Sequence, residues 1–63
     1  MNLAEYIKDQ GDQQVADNLD VSVRTVASWR RGERFPSSLA IRQLVKGSGG
    51  ELTYAEVYDD YSP

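Results

Sequence analysis

Apolar residues recur along this chain in short bursts at helical spacing, each bounded by a residue that starts or stops a helix. Leu3, Ala4 and Ile7 form the first stripe, behind an Asn2/Glu5 capping box, and predict a short helix through about Asp9 that ends near Gly11. Val15, Ala16 and Leu19 mark a second helix from Asp12 to about Leu19. Asp20-Val21-Ser22 breaks the pattern, and Ser22 caps a third helix from Val23 to about Arg31, with Val26 and Trp29 on its apolar face and Gly32 as a left-handed stop. Pro36 biases Phe35 away from helix, so residues 32–36 read as a connector. Ser37 or Ser38 then caps a fourth helix, Leu39 to about Lys46, whose apolar set is Leu39, Ile41, Leu44 and Val45. Gly47-Ser48-Gly49-Gly50 reads as the most flexible stretch. Beyond it a Thr53/Glu56 capping box precedes Tyr54, Val57, Tyr58 and Tyr61 at helical spacings, which predicts a fifth helix. Leu52, Tyr54, Glu56 and Tyr58 also alternate, but a strand with one polar member on its inner face is the weaker reading.

The pattern therefore predicts an all-α fold of about five short helices, and 63 residues make it a single domain, 1–63. With 40% hydrophobic residues the core is small, and oligomerisation is the remaining route to extra stability, because the chain has neither Cys nor His. Their absence excludes disulfides, the usual zinc frameworks, thiol nucleophiles and every triad built on histidine. The expectation is no enzyme, no cofactor, no metal and no small-molecule ligand. The longest apolar run, Leu39-Ala40-Ile41, is far too short for a membrane span or secretory signal, so the chain is expected to be soluble and cytoplasmic.

Charge alters the picture once it is located. The net charge of -3 hides a basic centre, in which Arg24, Arg30, Arg31, Arg34, Arg42 and Lys46 face only Glu33, between two acidic ends. Such asymmetry points to an anionic partner for one face, against the plainer possibility of a solvated charged surface.

Two short helices joined by a three-residue turn at about residues 12–31 form a helix-turn-helix arrangement. Ala16 supplies the small side chain that a steep helix crossing needs, and Val21 fills the turn. The stretch from Gln14 to Trp29, followed by Arg30-Arg31-Gly32-Glu33-Arg34-Phe35-Pro36-Ser37, resembles the phage Cro and cI repressor superfamily over about residues 12–45. The Gly-Gly and Thr-x-x-Glu ending is less specifically similar to small Cro-like or YdaS-type regulators. Two departures are visible: the turn carries Asp20 where Gly is usual, and the Gln common at the start of the first motif helix is Asp12 here, or Gln13 one step on. Asp tolerates the left-handed backbone better than most residues.

The resemblance implies a lambda-repressor-like domain that binds double-stranded DNA as a sequence-specific transcriptional regulator. It would act in the cytoplasm of a bacterial host as a Cro-like repressor on a pseudo-palindromic operator. Its second motif helix would enter the major groove, which places Ser22, Val23, Arg24, Ala27 and Ser28 as base-facing candidates. Arg24 is the strongest of them, since a guanidinium reaches guanine O6 and N7 together; Val23 and Ala27 offer only a thymine-methyl contact, and Ser22 is equally well explained as a cap. Gln13, Arg30, Arg31, Arg34, Ser37 and Ser38 are the phosphate candidates. A homodimer, weak in solution and formed on DNA, would use Phe35, Leu52, Tyr54, Val57, Tyr58 and Tyr61, although Leu52 and Val57 serve equally well to close the monomer core. The rival function is a protein-interaction module, antitoxin-like or adaptor, using the acidic ends and the tyrosine stripe.

Overall fold

The computed structural model describes residues 1–60, and these form helices α1 (Leu3–Gln10), α2 (Asp12–Leu19), α3 (Val23–Arg30), α4 (Ser38–Gly47) and α5 (Tyr54–Asp60), with no strand among the described residues. The fold class is all-α, and the segment with two readings is a helix. None of the described helices is long and apolar enough to cross a membrane.

Side-chain caps place the starts of α1, α3, α4 and α5, and a glycine junction places that of α2. The Asn2 side chain accepts a hydrogen bond from Glu5 N at 2.8 Å while Glu5 Oε1 accepts from Asn2 N at 3.3 Å, a complete capping box. Gly11, at φ +94°, closes α1 by donating to Ile7 O and opens α2 by accepting from Val15 N. Only glycine takes that backbone without strain. Ser37, rather than Ser38, caps α4 by accepting from Ala40 N at 3.2 Å. Thr53 and Glu56 exchange hydrogen bonds of 3.1 and 3.2 Å at the start of α5.

The turn between α2 and α3 carries the one positive φ outside glycine among the described residues: Asp20 sits at φ 56°, ψ 46°. Its amide and that of Val21 both donate to Ala16 O, so the left-handed residue ends α2 and aims the chain at α3. A Cβ in this region costs free energy that glycine avoids. Asp20→Gly is therefore expected to stabilise the domain by about 0.5–1 kcal/mol, a rise of about 2–8 °C in the thermal midpoint followed by circular dichroism. An unchanged or lower midpoint would show that the Asp20 side chain compensates its own strain.

A single buried cluster draws on all five helices: Leu3, Tyr6 and Ile7 from α1, Val15 and Ala16 from α2, Val26 and Trp29 from α3, Ile41 and Leu44 from α4, and Val57 from α5. Leu52, from the loop before α5, completes it. Helix α1 packs on α2, α3 and α5, α2 also packs on α3, and α4 lies against α2 and α5. Tyr6 adds to the expected stripe, and burial together with nearby Glu51 and Asp9 pushes its hydroxyl above its ordinary pKa.

Two expectations need correction. Leu39 is 62% exposed rather than part of the core. The inward row of α4 is set by Ile41 and Leu44, and a residue two positions before Ile41 falls on the opposite side of a 3.6-residue turn. The glycine-rich segment, expected to be the most flexible stretch, is a hydrogen-bonded turn. Ser48 is buried, its Oγ lies 2.8 Å from Val45 O and 3.2 Å from Leu52 O, and it accepts from Leu52 N at 3.1 Å. Gly49 (φ 64°) and Gly50 (φ 97°) reverse the chain around it.

Candidate nucleic-acid interface

The surface in question is built by α2, the Asp20–Ser22 turn, α3 and the loop that follows. Val15 and Ala16 of α2 and Val26 and Trp29 of α3 point into the core, and Leu19 and Val21 pack against it. Ala16, 1% exposed, is small where α2 meets α3. Because α3 packs on both α1 and α2, only its N-terminal end and one side stay open. Ser22, Val23 and Arg24 occupy that open end. Val23, 39% exposed, is one of the few large apolar side chains that the fold leaves outside.

Ala27 and Ser28 are not exposed, contrary to expectation; both are buried, although Ser28 lies under the depression described below. With α1 and α2 packed on α3, a whole turn of it, Val26 to Trp29, is buried. The following loop also folds back over Ser28, whose carbonyl accepts from Glu33 N at 2.9 Å and Arg34 N at 3.3 Å. The Ser28 hydroxyl donates to Thr25 O at 2.6 Å, so it braces the helix. Thr25 is a residue the sequence reading passed over. Its Oγ1 lies 2.8 Å from Ser22 Oγ, and Ser22 Oγ accepts from Thr25 N at 3.1 Å. Its position three residues after a serine cap was the available signal. Ser22, Arg24, Thr25, Ser28, Arg31 and Arg34 line one shallow depression, joined by Glu33.

The arginines separate into two kinds. Arg30 reaches back across the motif, donating from Nε and Nη2 to the two Asp12 carboxylate oxygens at 3.0 and 3.1 Å. This partly buried fork ties the end of α3 to the start of α2 and engages the Arg30 guanidinium within the fold. Arg31 makes a similar fork to Glu33, at 3.0 and 3.1 Å, but in the open. That hydrogen bonding holds the Glu33 carboxyl below its ordinary pKa and raises the Arg31 guanidinium, so the pair is doubly charged at neutral pH. Arg24 and Arg34 are exposed and have no ion pair among the described residues.

The remaining candidates fall outside the depression. Gln13 is exposed on α2 and donates to Asp17 Oδ1 at 2.8 Å. Ser37 has its hydroxyl engaged as the α4 cap, and Ser38 is exposed as that helix's first residue. Of the residues expected at a dimer surface, Leu52 and Val57 are wholly buried and close the monomer core instead, Leu52 from the end of the loop before α5 and Val57 from the first turn of α5. Tyr54 and Tyr58 are about half exposed, and the Tyr58 ring lies 6.0 Å from that of half-buried Phe35, tilted by 43°. Tyr61 lies outside the described residues.

Compared with known proteins, the chain matches no family model, no curated protein and no solved structure.

Proposed function

We propose that the chain is a sequence-specific DNA-binding regulator that places α3 in the major groove. The observation that carries this reading is the division of α3 itself. Val26 and Trp29 fix one face in the core, while Ser22, Val23 and Arg24, which has no ion pair among the described residues, stand at the open N-terminal end beside Arg34. A recognition helix needs this division, because base edges are read by the first residues to enter the groove. Arg24 supplies a fork for guanine and Val23 an apolar contact for a thymine methyl. Arg34, at the rim, is placed for phosphate, which positions without specifying. In keeping with the Cro/cI resemblance, the regulator is a repressor of bacterial or phage origin acting in the cytoplasm.

A single motif of this size reads few base pairs, so the functional unit is a dimer assembled on two half-sites. Of the residues expected there, half-exposed Tyr54 and Tyr58, with half-buried Phe35 beside Tyr58, are the ones left for it. The same patch supports the rival reading, a protein-interaction module.

Titration of a labelled random-sequence duplex at about 50 and about 200 mM salt separates the two readings, because phosphate neutralisation makes affinity fall steeply with salt. Binding at the lower concentration with a steep salt dependence supports a DNA-binding surface. No binding there supports the interaction module. Sedimentation with a two-half-site duplex is expected to give two chains per duplex, and a strict one-to-one complex would remove the dimer.

A further inference from the structure

We propose that Glu33 is a built-in counter-ion that restrains duplex binding, holding Arg31 in a closed pair on the rim of the α3 depression; this rests on the DNA-binding reading of that surface. Glu33 is the sole acidic residue between Val21 and Gly47, a segment with six cations. Its place is fixed by the backbone. Gly32 turns at φ +78°, and Glu33 N then donates to Ser28 O at 2.9 Å, which anchors the carboxylate beside the end of α3. From there both carboxylate oxygens engage Arg31, through Nε and Nη2.

That is the edge of the guanidinium that clamps a phosphate in a two-point contact. A duplex docked on α3 either displaces Glu33 from this edge or uses the outer edge with the carboxylate close by. In the first case binding must break a formed pair; in the second it brings two negative charges together. Both weaken binding, and both follow from the carboxylate alone. With side chains 46% and 60% exposed, Arg31 and Glu33 are screened by water, so the effect is moderate and largest at low salt. The deeper Arg30–Asp12 fork ties α3 to α2.

Glu33→Gln removes the charge and keeps the shape. The purified full chain, Glu33→Gln, Arg31→Ala and the double variant are titrated with the same random duplex at about 50 and about 200 mM salt. Glu33→Gln is expected to bind about 2–5-fold more tightly at the lower salt, with a salt slope steeper by about one unit. In the Arg31→Ala background the same change should give a smaller gain, because the pair it opens no longer exists. Thermal melts check that all four proteins are folded. Equal or weaker binding by Glu33→Gln overturns the proposal and makes Glu33 neutral or a contact in its own right. If the parent fails to bind but Glu33→Gln binds, the restraint stands and the DNA-binding reading of the native chain falls. If neither binds, both fall.

Discussion

Trp29→Ala is expected to unfold the domain at ordinary temperature. Removing a buried Trp side chain costs about 3–5 kcal/mol through lost transfer free energy and the cavity left behind. A chain of 63 residues has about 3–9 kcal/mol to lose, at about 0.05–0.15 kcal/mol per residue. Trp29 is 8% exposed and belongs to the same cluster as Leu3, Tyr6 and Ile7 of α1, so its loss opens the seam that holds α3 on α1. Far-ultraviolet circular dichroism against temperature reads the result. Trp29→Phe, which keeps an aromatic ring in the site, should retain a cooperative transition at a lower midpoint. A Trp29→Ala protein that melts like the parent would mean that the α1–α3 seam does not hold the fold.

What the sequence disclosed follows from how local each signal is. Asn2 with Glu5, Ser22, and Thr53 with Glu56 act within one helical turn, so the starts of α1, α3 and α5 were readable from adjacent residues. Asp20 was readable for the same reason, since its backbone strain is its own. The errors lie where a second element decides. Ala27 and Ser28 look open on a helical wheel, yet α3 is flanked by two helices and the returning loop, and a wheel represents neither. Leu39 counts as apolar in any window, but Ile41 and Leu44 set the phase of α4. Gly47–Gly50 has the composition of a linker, and only the position of Leu52 shows that Ser48 Oγ bonds across the turn. The arginines give the sharpest case. Their number is visible in the sequence, whereas the pairing of Arg30 with Asp12, 18 residues away, depends on the fold that brings the start of α2 to the end of α3.

That pairing decides how base reading is distinguished from backbone holding. Arg30→Ala leaves Asp12 without its fork and so disturbs the α2–α3 junction before it disturbs any phosphate contact. Arg24 and Arg34 are the informative pair, because both are exposed, line the same depression and have no ion pair among the described residues. Arg24 lies two residues past the Ser22 cap, where α3 would enter the groove. Arg24→Ala is expected to cost about 1–3 kcal/mol on a preferred duplex selected from a random library, and little on random duplex. Arg34 lies beyond the end of α3, at the rim. Arg34→Ala should weaken preferred and random duplexes alike and lower the salt slope by about one unit. Titrations of both variants against both duplexes, at two salt concentrations, give the full comparison. Groove docking requires the two patterns together. Equal losses on preferred and random DNA from Arg24→Ala would mean that α3 is not seated in the groove and that the basic centre acts only as an electrostatic surface.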